Sequence, residues 1–118
     1  MPAMGGDERE QRIVRNEIAF RAANETLRTV FSESEEEPLD LYPFLCECGD
    51  RECNQVVEIP LEVYAEIREH PARFLITSGH KQLASETIVD AHDGFEVVEK
   101  AGAAGETARA HWATHLAR

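Results

Sequence analysis

Positive charge is scarce in this sequence. Lys and Arg number 12 against 23 Asp and Glu, for a formal charge of −11 over 118 residues. Such a chain lacks the basic surface that displaces counterions from nucleic acid, so nonspecific nucleic-acid binding is not expected. Attraction to an anionic membrane surface is excluded on the same ground. No apolar run approaches the roughly 20 residues of a membrane-spanning helix. The first dozen residues are polar and charged, without the apolar segment of a secretion signal, so a cytoplasmic protein is expected. There is no glycine-rich phosphate loop, no hydrolase-type nucleophile motif and no internal repeat. The chemistry of the common enzyme classes is therefore not written into the chain, and a non-enzymatic protein is expected.

Cysteine is also scarce, and its distribution is uneven. All three cysteines lie in the run Cys46-Glu47-Cys48-Gly49-Asp50-Arg51-Glu52-Cys53. Metal-binding cysteine is thiolate, and three thiolates crowd together only when a cation holds them. In an extended strand, residues i and i+2 point the same way, so Cys46 and Cys48 can offer both sulfurs to one ion. Gly49 tolerates the positive φ of a sharp turn, and Asp50 prolongs that turn until Cys53 returns to the same ion. A fourth ligand closes a structural Cys3His zinc site. The best imidazole is His80, because Ser78-Gly79 before it forms a turn that can swing the ring inward. His70 precedes Pro71 at a helix end, His92 lies in a hairpin turn, and His111 and His115 lie near the end of the chain. Those last two share an i,i+4 face, and two histidines alone make a weak site. The competing reading of the cysteines is a redox pair plus a spare thiol, and an iron–sulfur cluster on the same ligands is the alternative to zinc.

One domain fits the length, and a domain of this size buries only about two thirds of its unfolded surface, so a metal staple is a useful stabiliser. Residues 1–6 read as a flexible leader, residues 7–100 as a single α+β domain, and residues 101–118 as a flexible or loosely docked tail. A helix is expected from Asp7 or Glu8 to about Phe31, with a stripe of Ile13, Phe20, Leu27 and Phe31 filled in by Val14, Ala23 and Val30. Arg12, Arg15, Glu17, Arg21, Glu25 and Arg28 fall mostly on its other faces. Asn16 and Asn24, eight residues apart, share nearly one face, either as solvated amides or as polar contacts that pin the helix to the sheet. Ser32–Asp40 is an acidic linker around Pro38, either a solvated loop or a docking segment for a basic partner.

Leu41–Cys46 and Gln55–Ile59 read as two strands joined by the cysteine knuckle, that is, a metal-clipped hairpin. Pro60 opens a short helix, from Leu61 to about Glu69, with Leu61, Tyr64, Ala65 and Ile67 inward, and Pro71 ends it. Arg73–Thr77 is a buried strand that delivers His80. Thr87–Ala91 and Phe95–Lys100 form a hairpin around Asp93-Gly94, a turn expected to need positive φ at both central residues. A Gly/Ala linker at 101–105 leads to a short helix over 106–118. The architecture is thus α+β: a long N-terminal helix and a short second helix packed on a small, mainly antiparallel sheet, stapled by a Cys3His metal site.

The run Arg15-Asn16-Glu17-Ile18-Ala19-Phe20-Arg21-Ala22-Ala23-Asn24-Glu25 resembles the opening helix of a group of small uncharacterised bacterial proteins. The knuckle Cys46–Cys53, the stretch Tyr64–Arg68, Arg73-Phe74, the pair Gly79-His80 and Val97–Lys100 are similar to further motifs of that group. The resemblance covers roughly residues 12–100, with serine before Gly79 where the pattern has proline. It implies no activity. It does imply that the helix and the knuckle belong to one unit, and it is consistent with His80 as a ligand. Two better-known Cys-x-Cys patterns fail in detail. SWIM zinc domains end Cys-x-His, whereas Asn54-Gln55 follow Cys53 here. CDGSH-type iron–sulfur domains place histidine a few residues after the third cysteine, whereas His80 follows Cys53 by 27 positions.

These features imply a small zinc-binding regulatory or protein-interaction module whose partner presents a basic surface. A thiol-based redox or metal sensor is the alternative. A zinc enzyme using Glu47, Asp50, Glu52 or Glu58 as acid or base ranks third, because thiolate-rich zinc is usually structural.

Overall fold

The computed structural model describes residues 4–116, with side chains over 8–112. Helix α1 spans Met4–Ser32, three residues earlier than the expected start at Asp7, and residues 1–3 of the expected leader lie outside the described residues. Its buried face differs from the expected stripe. Ile13 and Val14 are buried, but Glu17, Arg21, Asn24 and Glu25 are buried beside them, while Ala23 and Val30 are exposed and Phe20 is half-buried. Buried positions still recur at helical spacing. What differs is their chemistry: Glu17 and Arg21, expected on outer faces, point inward because the rest of the chain supplies polar partners for them.

Strands β1 (Tyr42–Leu45) and β2 (Val56–Ile59) pair antiparallel, with Tyr42 opposite Ile59 and Leu45 opposite Val56. Pro60, at φ −60°, is the N-cap of α2 (Leu61–Arg68), whose buried residues are Tyr64, Ile67 and Arg68. Proline suits the entry to a helix because its missing N–H has no intrahelical acceptor. Strands β3 (Arg73–Thr77), β4 (Glu86–His92) and β5 (Phe95–Lys100) form a second antiparallel sheet in the order β3-β5-β4. The β4–β5 turn at Asp93-Gly94 requires less than expected. Gly94 takes φ 91° while no non-glycine among the described residues has positive φ.

Phe74, Leu75 and Ile76 of β3 are all fully buried, which means both faces of this strand are covered. Leu75 and Val97 face a core built from the β1–β2 ribbon and α2: Tyr42, Phe44, Val57, Ile59, Tyr64 and Ile67. Phe74, Ile76 and Val98 face the other way, against Cys46, Cys48 and Ala108. The two sheets meet where the Glu47 N–H donates to the Leu75 carbonyl at 2.7 Å. Helix α3 (Gly102–Leu116) begins inside the expected linker and buries Ala104, Ala108 and Trp112 at every fourth position. Trp112 and Phe74 lie against the Arg21 guanidinium, 5.2 and 4.5 Å from ring centroid to its central carbon, a favourable stacking for a buried cation. Over the stretch expected as a flexible or loosely docked tail, α3 packs on α1 and on β5. Of the histidine pair near the chain end, His115 has its side chain outside the described residues.

Candidate metal centre

Chain direction through the knuckle sorts its residues by parity. Cys46 and Cys48 turn to one side, while the Glu47 side chain between them turns to the other, as extended backbone requires. Gly49 then adopts φ 84°. A side chain there is strained by that conformation, and a Cβ would also lie 2.7 Å from Glu17 Cγ and 2.8 Å from the Ile13 carbonyl oxygen. Asp50 closes the turn twice: its carbonyl accepts from the Cys53 N–H at 3.0 Å and its Oδ1 from the Glu52 N–H at 2.9 Å. The Cys46 N–H donates to the Gln55 carbonyl at 3.1 Å, so the hairpin is zipped up to the first cysteine.

From the far side, β3 ends in a turn in which the His80 N–H donates to the Thr77 carbonyl at 3.0 Å and Gly79 takes φ 83°. This brings His80 Nδ1 to 3.6 Å from both Cys46 Sγ and Cys53 Sγ. One ligand atom from each of Cys46, Cys48, Cys53 and His80 lies within 4.8 Å of all the others. The three cysteines carry no disulfide. All four expected ligands are therefore brought together, and among the described residues no other group of His, Cys, Asp and Glu gathers in this way. The cluster is a possible metal-binding site. Cys46 and Cys48 are buried, while Cys53 and His80 are half-buried, so one side of the cluster reaches solvent.

The thiols compete for a single negative charge. The Cys46 thiol is pushed down to about 4, first by the hydrogen bond from Cys48 and then by the Thr77 N–H, which donates to its sulfur at 3.2 Å. Cys48 is pushed up because its proton serves that bond and because it is buried; burial raises Cys53 too.

On the opposite side of the knuckle, Glu47 is fully buried. Its Oε2 accepts from Tyr64 Oη at 2.7 Å and Asn24 Nδ2 at 2.8 Å, its Oε1 accepts from the Leu75 N–H at 2.8 Å, and Arg68 Nη2 stands at 3.7 Å. A buried carboxylate is tolerated when its lone pairs are filled in this way. Burial and the adjacent Glu47 charge push the Tyr64 phenol upward, so it stays a donor. Asn24 also clasps the backbone on either side of Leu45, donating to its carbonyl at 2.9 Å and accepting from its N–H at 2.8 Å. Asn16 donates to the Gly49 carbonyl at 3.0 Å. The pinning contact is thus what these two asparagines make. Glu47, a candidate acid or base in the enzyme reading, points away from the sulfurs and into the core, whereas Asp50, Glu52 and Glu58 are exposed.

A second buried polar cluster was not legible in advance. Lys100 Nζ lies 2.6 Å from Glu17 Oε2 and 2.9 Å from Glu86 Oε2, with all three side chains essentially inaccessible. Burial pushes the Glu17 carboxyl up to about 8 against the pull of Lys100. No local pattern announces a contact between residues 83 positions apart.

Set beside known proteins, the chain matches no family model, no curated protein and no solved structure.

Proposed function

We propose that this chain is a small zinc protein in which a structural Cys3His ion holds together a non-enzymatic module for protein interaction or regulation. The observation that carries the reading is the distance set. Zn–S bonds of about 2.3 Å and a Zn–N bond of about 2.0–2.1 Å at tetrahedral angles separate sulfur from nitrogen by about 3.6 Å. Both separations from His80 Nδ1 to sulfur have that value, at 3.6 Å. Four protein ligands fill a tetrahedron and leave no open position for water, which argues against a catalytic ion. The burial of Glu47 removes the nearest acid from such a role. The excess of acidic residues suits a partner with a basic surface, without nucleic acid or membrane. Among the described residues, no helix is long and apolar enough to cross a membrane. A reducing compartment, the cytoplasm of a bacterium, keeps the thiols available, and membership of the small bacterial group belongs to the same proposal.

The test is the metal content of the native protein together with its visible spectrum. One zinc per chain and a colourless solution support the reading, whereas iron with sulfide-to-iron absorption would replace zinc by a cluster. His80→Ala then separates roles: a structural ligand loses metal and fold together, while a catalytic histidine leaves the fold intact.

A second reading, a thiol-based redox or metal sensor, draws on the half-buried Cys53 and His80. Oxidation of the sulfurs would release the ion and remodel the hairpin. Peroxide titration with a zinc-release dye checks it: ion retained while the general thiol pool oxidises contradicts a sensor.

A further inference from the structure

The outward face of the β1–β2 ribbon is apolar where a solvent-facing sheet is normally polar. Alternation places Pro43 and Leu45 of β1, and Val56 and Glu58 of β2, on that face, with Leu45 paired to Val56 and Pro43 to Glu58. Leu41 continues it at the same parity. Leu41, Leu45 and Val56 are 47%, 36% and 53% exposed. Exposed aliphatic side chains gathered on one face mark interaction surfaces, whereas scattered ones do not.

The surroundings of this face say what kind of partner fits. Between residues 33 and 59 there are nine acidic side chains and one basic, Arg51. Eight of those acids are exposed, all but Glu47. Glu58 lies on the face itself, and a second copy of the chain would set this acidic segment against its own like, an arrangement that like charges across an interface strongly disfavour. A complementary partner carries the opposite sign.

We propose that this ribbon face docks a partner segment whose aliphatic side chains are flanked by lysine and arginine. The proposal rests on the structural-zinc reading, because the ribbon has only two strands and its tip is the knuckle that the ion would clip. A two-stranded ribbon is marginal without such support. The face is therefore presented by the metal-loaded protein.

The test uses zinc-loaded, isotope-labelled protein and two synthetic ten-residue peptides, one alternating leucine with lysine and one alternating leucine with glutamate. The leucine–lysine peptide is expected to bind saturably, with amide shifts confined to residues 41–45 and 56–58, and to weaken several-fold between low and high salt. Val56→Lys should weaken it at least tenfold, and Leu45→Ser should weaken it by a smaller factor, with zinc content unchanged because both side chains are exposed. Glu106→Lys, which makes a positive substitution on α3, should change binding less than twofold. Shifts scattered over the acidic surface, equal effects of Val56→Lys and Glu106→Lys, or equal binding of the glutamate peptide overturn the proposal. So does absence of binding by protein that carries one zinc per chain, an outcome that leaves the zinc reading standing. Self-association of the unliganded protein that Val56→Lys abolishes assigns the face to a second copy and also overturns it.

Discussion

The β1–β2 ribbon and the β3-β5-β4 sheet are held by different forces. In the sheet, Phe74, Leu75, Ile76 and Val98 are fully buried, and its centre is held by hydrophobic burial, with the Lys100–Glu86–Glu17 cluster at one end. In the ribbon, only Tyr42, Phe44, Val57 and Ile59 turn inward, while its tip is organised by sulfur, a buried carboxylate and amides from α1. Area burial is non-directional and survives small displacements. The contacts at the knuckle are directional: Asn24 to Leu45 and Glu47, Asn16 to Gly49. They hold only while alternate residues stay in register, Cys46 and Cys48 toward the cysteine–histidine cluster and Glu47 toward the helix. The ribbon and α1 should therefore depend on metal in a way that the sheet does not.

The widest separation between the regions is expected on metal removal. Chelation under reducing conditions should abolish hydrogen-exchange protection over residues 42–59 and in the second half of α1, while β3 and β5 keep most of theirs. Binding of structural zinc in small domains is worth on the order of 10 kcal/mol, so the effect should dominate all others. Uniform loss of protection, or none, would remove the distinction.

Next comes Glu47→Ala, which strips the polar hub and leaves Arg68, Tyr64 and Asn24 buried without it. Breaking a buried charge pair by removing one partner costs about 3–5 kcal/mol, and chemical denaturation of metal-loaded protein should read a loss of that order. Asn24→Ala sharpens the comparison from the helix side. It leaves the Leu45 N–H and carbonyl unpaired, for a loss of about 1–3 kcal/mol in the same assay, and should speed metal release where an equally buried change in the sheet does not.

The smallest expected effect is a pH dependence in the second polar cluster. Glu17 titrates near 8 in the folded chain because it is buried, against 4.5 as its ordinary value. The unfolded chain loses that proton first as pH rises, so the contribution of Glu17 to stability is fullest below about pH 4.5 and declines up to about pH 8. Glu17→Gln should flatten this decline over the same window, by at most a few kcal/mol. A decline left unchanged in the variant would assign it to another group.

How far the sequence revealed this molecule follows the range of its interactions. The strands were legible because short runs of β-prone residues between turn signals are a local feature, and α2 because Pro60 and Pro71 bracket it. The ligand set was legible because three cysteines in one short run limit the geometry and a Ser-Gly turn aims His80. The buried face of α1 was not. Glu17 and Arg21 look like surface residues until Lys100, the Pro71 carbonyl and the Ala108 carbonyl meet them from far along the chain. The packing of α3 was hidden for a related reason. Apart from Trp112, its inward residues Ala104 and Ala108 are small, and they owe their burial to close approach, which leaves no strong apolar stripe in the sequence.

X-ray absorption at the zinc edge of the native protein tests the central claim most directly. Three sulfurs at about 2.3 Å and one nitrogen at about 2.0–2.1 Å are expected, and His80→Ala protein is expected to hold no zinc. A shell dominated by nitrogen and oxygen, or native protein that carries no zinc, would contradict the account.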